Sequence, residues 1–198
     1  MATRVLLFDL GGVLVDIAHY RELRALKAWS GGDDALRELW SGCASGRELE
    51  RGRISAEAFG TGAVRELGLS ICPQEFVERF RTWTKDYFPG ALALLQALRK
   101  SYRVGCLSNS NALHWGPRFE APFDFAYSSH LIGHMKPDAA AFEHVLREQK
   151  VAPEEVCFFD DSLPNVDAAR GLGMQAHHVL GFEDLTEKLS AWRKQQNS

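Results

Sequence analysis

The chain lacks the marks of secreted, membrane-bound and nucleic-acid-binding proteins. Its 23 Lys and Arg against 26 Asp and Glu give a formal net charge of −3, so there is no basic field to attract nucleic acid or anionic lipid. No apolar run approaches the roughly 20 residues that span a bilayer, and the first residues, MATRVLLFDL, show no signal-peptide cleavage pattern. We therefore expect a cytoplasmic protein without a nucleic-acid or membrane partner.

Cysteine is also scarce. The four cysteines are far apart, and they form neither a C-x-x-C pair nor a group with histidine at the spacing of a zinc site. We expect reduced thiols with structural roles. They are Cys43, Cys72, Cys106 and Cys157.

Five short apolar runs are typical of buried parallel strands. Most are separated by stretches with the apolar spacing of helices, among them ALALLQALRK, DAAAFEHVLREQK and PNVDAARGLG. Strands that alternate with helices predict an α/β fold, a Rossmann-like doubly wound parallel sheet. The predicted strands are residues 4–8, 102–107, 123–127, 155–159 and 175–179.

The segment between the first two predicted strands is far longer than one crossover requires. It is rich in helical patterns, such as HYRELRALKAWS and PQEFVERFRTWTKDYF, and poor in strand patterns. We therefore predict a helical cap, residues 16–88, inserted into a core formed by residues 1–15 and 89–198. Pro89 and Gly90 mark the return of the chain to the core.

Polar residues follow the predicted strands at the sheet edge where open parallel sheets bind ligands. Taken singly, each is more often a turn, helix cap or surface residue. Together, carboxylates at one edge of a buried sheet need a balancing charge, and Mg²⁺ held by one or two carboxylates with phosphate and water fits the set. The residues are Asp9, Ser108, Lys136, Asp160 and Asp161.

Four ordered motifs resemble those of the haloacid dehalogenase superfamily, in its branch of small phosphatases with a helical cap. They are VLLFDLGGVLVD, VGCLSNS, GHMKPD and VCFFDDSLPNVDAAR. Within that branch, ERGRISAEAF and FFDDSLPNVDAA are most similar to bacterial glucose-1-phosphate phosphatases and to the N-terminal phosphatase domain of soluble epoxide hydrolase. The resemblance implies a Mg²⁺-dependent phosphoric monoester hydrolase whose partner is a small phosphorylated metabolite, with sugar phosphates favoured.

The resemblance also assigns roles to residues. Asp9 is expected to attack phosphorus and form an aspartyl-phosphate, which water then hydrolyses. Mg²⁺ is expected to bind Asp9, Asp161 and the backbone carbonyl of Gly11, with Asp160 next to this site.

Substrate contacts are implied in the same way. Lys136 and the Ser108 hydroxyl are expected to hold the phosphoryl oxygens, together with backbone N–H groups near Gly11. Asn109 is a weaker candidate for a backbone or amide donor. Asn165 is expected either to contact the phosphoryl group or to steady Asp161.

Gly11 departs from the family pattern, because most phosphatases of this superfamily have a second Asp two residues after the nucleophile. That Asp protonates the leaving oxygen and later activates water. Its absence predicts a slow enzyme, a leaving group of low pKa, or a donor supplied by the substrate or the cap. Asp16, His19 and residues 47–53 are the candidate suppliers.

Two further functional interpretations stay open beside the phosphatase. A metal-independent haloacid dehalogenase would use the same nucleophile without a second Asp, although the Asp160-Asp161 pair favours a metal. A catalytically impaired regulatory or binding protein would have no physical need for Asp9, Ser108 and Lys136 at one sheet edge. The pattern specifies no oligomeric state.

Overall fold

The five apolar runs form one parallel sheet, as predicted. In the computed structural model, which describes residues 3–196, the strand order is β5-β4-β1-β6-β7. The predicted strands are confirmed to within two residues at each end. These strands are β1 (Val5–Phe8), β4 (Arg103–Ser108), β5 (Phe125–Ser128), β6 (Val156–Asp160) and β7 (Gln175–His178).

The central strand, β1, explains why the sheet is doubly wound. All four of its residues are buried, and it pairs in parallel with β4 on one side and β6 on the other. Because successive side chains of a strand point to opposite faces, Leu6 and Phe8 join one hydrophobic cluster while Val5 and Leu7 join another. Both faces of the sheet are therefore covered.

Helices of the core pack on these two faces. The cluster around Leu6 and Phe8 includes residues of α6 (Ala91–Leu98) and α11 (Phe182–Gln196). The cluster around Val5 and Leu7 includes residues of α9 (Ala139–Gln149) and α10 (Leu163–Gly171). Two four-residue helices, α7 (Pro117–Glu120) and α8 (Ser129–Ile132), flank β5.

The first five of the helices between β1 and β4, here called the helical segment, have a hydrophobic cluster of their own. At its centre Phe80 lies with ring centroids 4.8 Å from Phe59 and 5.2 Å from Trp83. This matches the predicted helical insertion. The helices are α1 (His19–Leu26), α2 (Asp33–Gly42), α3 (Ala44–Glu50), α4 (Ala56–Glu66) and α5 (Pro73–Phe80).

Two short strands that the sequence did not predict frame the helical segment. They are β2 (Val15–Ile17) and β3 (Thr84–Tyr87), which pair antiparallel. We propose the division into a core of 1–15 and 89–198 and a cap of 16–88, whose inner boundaries fall at these strands. The outermost residues of that division, 1–2 and 197–198, lie outside the described residues.

The remaining sequence expectations concern cysteines and membrane contact. All four cysteines are free; Cys43, Cys106 and Cys157 are buried and Cys72 is exposed. Within residues 3–196, no helix combines the length and the apolar character that crossing a membrane demands.

Candidate active site

The site centres on a buried ion-pair network at the carboxyl end of β1. Asp9 follows β1, and its backbone N–H donates to the Phe159 carbonyl at 2.9 Å. Lys136, between α8 and α9, places Nζ 2.7 Å from Asp9 Oδ1 and 2.7 Å from Asp160 Oδ2. Burial alone would lower the pKa of Lys136, but Asp160 and Asp9 raise it above its usual value. The amine therefore stays charged between two carboxylates.

Asn109 holds the Lys136 backbone in place. Its Nδ2 donates to the Lys136 carbonyl at 2.8 Å, and its Oδ1 accepts the Lys136 N–H at 2.9 Å. Both polar atoms of this amide bond to the Lys136 backbone, so the side chain is not available to a phosphoryl group. The predicted contact between Asn109 and a phosphoryl group would therefore be made by the Asn109 backbone N–H. That contact stays a prediction.

The two adjacent acids after β6 have different surroundings. Asp160 is fully buried, and besides Lys136 its carboxylate accepts the Ser162 N–H at 2.8 Å and the Asn165 amide at 3.0 and 3.1 Å. Asp161 is exposed at the site, and its carboxylate has no ion pair within 4 Å among residues 3–196. Asp161 is thus the acid with free acceptor capacity. Asn165 steadies Asp160, whereas the sequence analysis expected it either to contact the phosphoryl group or to steady Asp161.

The loop after Asp9 approaches Asp161 closely. Gly12 has a φ of 76°, in the left-handed region, and a Cβ there would overlap Asp161 Oδ2, so only glycine fits. Gly11 has no such backbone requirement. A Cβ at position 11 would lie 3.1 Å from Ile17 Cγ2, so Ile17 borders the space that the missing acid would take.

Three carboxylates converge at this edge of the sheet. Asp9, Asp160 and Asp161 each offer an oxygen, and these oxygens lie within 4.8 Å of one another. Burial raises the pKa of Asp9, Lys136 opposes this, and the charges of Asp160 and Asp161 raise it further. A divalent cation would offset this repulsion, and carboxylate oxygens are ligands that Mg²⁺ prefers. The donor set therefore fits Mg²⁺.

Ser108 ends β4 beside this cluster. It is buried, with 4% of its surface exposed, and its hydroxyl forms no hydrogen bond with any other residue in the described range 3–196. Ser108 lines the cavity described below, where water or a ligand can bond to its hydroxyl. Ser108 is therefore free to contact a bound oxyanion.

These groups open into a cavity of about 570 Å³ between the sheet edge and the helical segment. The predicted site residues, which the structure brings together here, are Asp9, Gly11, Ser108, Asn109, Lys136 and Asp161. The helical segment adds polar and aromatic side chains, of which the sequence analysis named His19 singly and Arg47 and Glu50 only within residues 47–53. Its principal lining residues are His19, Tyr20, Arg37, Trp40, Arg47 and Glu50.

Two histidines at the cavity wall are held neutral. The pKa of His19 falls to about 3 through burial and the nearby His114, and burial lowers the pKa of His114 to about 4. His114 Nε2 lies 2.7 Å from the Phe80 carbonyl, which can only accept, so this nitrogen carries the proton. Its Nδ1 then accepts from the Asn111 amide at 3.4 Å. This arrangement links the core loop after β4 to the helical segment.

The neutral state of His114 has a measurable effect on stability. Below its ordinary pKa of 6.5, the unfolded chain binds a proton that the folded protein does not. The contribution of His114 to the free energy of unfolding is therefore fully present above pH 6.5 and is lost as the pH falls toward 4. Between pH 7.5 and 5.0, wild type should lose about 2 kcal/mol more unfolding free energy than His114→Gln, at about 1.4 kcal/mol per pKa unit.

Urea denaturation of both proteins at the two pH values gives this difference. Buried carboxyls such as Asp9 change stability with the opposite sign, but they are common to both proteins and cancel. His134→Gln, at an exposed position, is the matched control. Parallel losses in wild type and His114→Gln would show that His114 is not held neutral by its surroundings.

Comparisons with known proteins point to one family. The family profile described as haloacid dehalogenase-like hydrolase matches residues 3–173. D-ribitol-5-phosphate phosphatase of Bacteroides thetaiotaomicron is 27% identical over 93% of this chain and 96% of that protein. Phosphatase MT3486 of Mycobacterium tuberculosis is 25% identical over 90% and 88%. The family match spans four of the five strands of the sheet and the whole helical segment.

A solved structure is also similar. A HAD family enzyme of Bacteroides thetaiotaomicron, in a magnesium complex, superposes with a TM-score of 0.77 at 26% identity, over 96% of this chain and 99% of that one. The same enzyme in complex with magnesium and inorganic phosphate superposes with a TM-score of 0.73 at 26% identity, over 90% and 94%. That relative therefore holds a metal and a phosphate on the same fold.

Proposed function

The chain belongs to the haloacid dehalogenase-like hydrolase family, and from this premise we propose that it is a Mg²⁺-dependent phosphatase of small phosphorylated metabolites. One observation carries the proposal. Asp9 is bound to Lys136 at 2.7 Å, with its carboxylate within 4.8 Å of two further acids. Two relatives of similar length are phosphatases, and a similar HAD family enzyme was solved with magnesium and inorganic phosphate.

Each side chain has a part in this reaction. Asp9 attacks phosphorus in line, and the resulting aspartyl-phosphate is later cleaved by water. Lys136, charged and within reach of Asp9, and the free Ser108 hydroxyl stabilise the phosphoryl oxygens. Mg²⁺, which Asp9, Asp161 and the Gly11 carbonyl would hold, neutralises charge between nucleophile and substrate when bound. Asp160 fixes the position of Lys136.

We propose a sugar or polyol phosphate as the substrate. The cavity of about 570 Å³ is of the size that encloses a small metabolite. Its helical side offers hydrogen-bonding groups on Tyr20, Arg37 and Arg47. A relative that aligns over nearly its whole length acts on D-ribitol 5-phosphate.

The carboxylate cluster argues against the metal-independent dehalogenase. Without a cation, three carboxylates whose oxygens lie within 4.8 Å would repel the carboxylate of a haloacid. The impaired regulatory protein is disfavoured because Lys136 joins Asp9 and Asp160, while Ser108 and Asp161 keep free capacity for a ligand.

Metal dependence and the identity of the ligand acid are testable together. Excess chelator should abolish phosphate release and added Mg²⁺ should restore it. Asp161→Ala should raise the Mg²⁺ concentration for half-maximal activity while leaving the melting temperature nearly unchanged. Asp160→Ala should chiefly lower the melting temperature, because it leaves buried Lys136 without one of its two partners.

Magnesium titrations of activity and thermal unfolding of both variants separate these effects. Full activity in excess chelator would support a metal-free reaction instead. If Asp160→Ala shifts the magnesium requirement more than Asp161→Ala does, the two acids exchange roles.

A further inference from the structure

The proposed reaction needs a proton donor that the loop after Asp9 does not supply. When the bond between phosphorus and the leaving oxygen breaks, that oxygen must take a proton if it belongs to an alcohol. Gly11 carries no side chain, and Ile17 borders the space beside it. The donor must therefore come from another residue that reaches the cavity.

The carboxyl groups of the cavity leave one candidate. Three acids line it: Asp9, Asp161 and Glu50. Asp9 is the nucleophile and Asp161 a metal ligand in the proposed function. Asp16, a candidate from the sequence, lies off the cavity with its carboxylate 3.9 Å from Arg21. His19 is neutral near pH 7, since its pKa is about 3, and the ring N–H of a neutral imidazole is too weak an acid for this step.

We propose that Glu50 is the catalytic proton donor to the leaving oxygen, and that its carboxylate then activates the water that cleaves the aspartyl-phosphate. This inference rests on the phosphatase activity proposed above. In the first step a phosphorus–oxygen bond to Asp9 forms, the bond to the leaving oxygen breaks, and that oxygen takes the proton of Glu50. In the second, Glu50 takes a proton from water, the water oxygen bonds to phosphorus, and Asp9 leaves as a carboxylate.

Glu50 is fixed at the cavity although it belongs to the helical segment. It is the last residue of α3, and its backbone carbonyl accepts a hydrogen bond from Ser129 Oγ at 2.6 Å. Ser129 Oγ also accepts the N–H of Ser110 at 3.0 Å, in the loop that follows Ser108. Glu50 is thus tied to the loop directly after the strand that presents the Ser108 hydroxyl.

Gly52 strengthens this attachment. Its φ is 70°, and a Cβ at this position would overlap the His130 carbonyl, so the chain after Glu50 lies directly on the core helix α8. Arg51 adds an ion pair of 3.8 Å with Asp138. The end of α3 and the two residues after it therefore rest on the core, which fixes the backbone of Glu50 at the edge of the cavity.

The carboxyl of Glu50 has no competing role within the described part of the chain. It makes no hydrogen bond, and no ion pair within 4 Å, with any residue of 3–196. A half-buried carboxyl without a partner is costly in its charged form. Burial raises the pKa of Glu50 to about 7, against the opposing charges of Arg51, Lys136 and Arg47. A pKa near the working pH is what a group that both gives and takes a proton requires.

Charged and titratable groups face Glu50 from several elements, and each can affect how activity depends on pH. The part of this dependence that is due to Glu50 is therefore found by comparing wild type with a variant at position 50. These groups are Arg47 on α3, Arg51 directly after it, Tyr20 on α1, Arg37 on α2, His130 on α8, and Lys136 and Asp138 on the following loop. All of them are retained in Glu50→Gln. The pH limb that disappears in this variant alone therefore belongs to Glu50.

The test compares substrates that differ in their need for an acid. Nitrophenyl phosphate has a good leaving group. The other two substrates, n-propyl phosphate and D-ribitol 5-phosphate, have poor alkoxide leaving groups, and D-ribitol 5-phosphate also carries hydroxyl groups that the cavity can bind. In Glu50→Gln, kcat/KM should fall by about 10²–10⁴-fold for both alkyl phosphates and by less than about tenfold for nitrophenyl phosphate. Wild type should lose activity on propyl phosphate as the pH rises through about 7, and Glu50→Gln should lack that limb.

A second readout follows from the water-activating step. With nitrophenyl phosphate, Glu50→Gln should release a burst of nitrophenol equal to the enzyme concentration and accumulate phosphorylated enzyme, because only the second step is slowed. Glu48→Gln, on the same helix but outside this cavity, is the matched control and should behave like wild type.

The outcomes separate the two proposals. If wild type releases no phosphate from any of the three substrates with Mg²⁺, the proposed function fails and this inference with it. If wild type is active but Glu50→Gln loses the same factor on all three, or loses rate only on the polyol phosphate, Glu50 is not the proton donor. Wild type that hydrolyses nitrophenyl phosphate but no alkyl phosphate would equally overturn the assignment.

Discussion

Asp9→Asn should lower kcat by on the order of 10³-fold or more while leaving the protein folded. The amide is nearly isosteric with the carboxylate, and its Oδ1 can still accept the 2.7 Å hydrogen bond from Lys136. It is, however, a poor nucleophile, and it removes one negative charge from the proposed metal site. The structural effect should therefore be small and the chemical effect large.

Phosphate release and thermal unfolding, measured on the same preparation, check this expectation. Asp167→Asn, at an exposed position of α10, is the matched control and should retain wild-type kcat. Asp9→Asn that still releases phosphate at the wild-type rate would remove Asp9 from the nucleophilic role. Aspartyl-phosphate trapped on wild type but absent from Asp9→Asn would locate the covalent step.

Lys136→Ala should combine near-complete loss of activity with a loss of about 3–5 kcal/mol of unfolding free energy. The side chain of Lys136 is 1% exposed, and its amine joins two carboxylates that have no other fixed cation within 4 Å in residues 3–196. Removing it leaves Asp9 and Asp160 buried beside Asp161 without a positive charge. The carboxyls must then take up protons or admit a cation from solution.

This gives Lys136→Ala a distinctive dependence on Mg²⁺. Added Mg²⁺ should raise the melting temperature of the variant more than that of wild type, since the ion becomes the nearest positive charge. Urea denaturation and kcat, each with and without Mg²⁺, measure both effects. Lys100→Ala, at an exposed position, is the control. Wild-type stability and rate in Lys136→Ala would mean that the buried ion pairs contribute nothing.

Much of the core could be predicted from the sequence because its strands are unbroken apolar runs. Strands such as VLLF and VCFFD are buried along their whole length, which makes them stand out. The β2–β3 pair escaped prediction because VDI and TKDY are short, partly exposed and mixed in polarity. Their pairing joins residues distant in sequence, and no local pattern records that.

The sequence could predict which residues lie near one another at the site, because strand topology alone determines this. Parallel strands present their carboxyl ends at one edge, so Asp9, Ser108 and Asp161 had to lie near one another. Partner choice was not predictable: the amide of Asn109 bonds the Lys136 backbone, and that of Asn165 bonds Asp160. These contacts depend on distances of tenths of an ångström between loops.

Glu50 shows where sequence reasoning stops. Helix α3, with the sequence ASGRELE, is short and contains Ser and Gly, so no apolar periodicity predicts it from the sequence. The sequence indicated only that residues 47–53 were one candidate source of an acid. Locating that acid required the contact between the end of α3 and Ser129, which lies 79 positions further along the chain.

The antiparallel pairing of β2 with β3 bears on how the substrate specificity of this fold can be altered. Val15 lies opposite Tyr87, and the Ala18 N–H donates to the Trp83 carbonyl at 2.8 Å, so the chain leaves and re-enters the core at adjacent points. The helical segment is therefore an insertion whose two ends lie side by side. It can be exchanged for another segment without altering the strand order of the sheet. A chimera built at this junction would keep its nucleophile and inherit, from the transplanted helices, both its choice of metabolite and its acid.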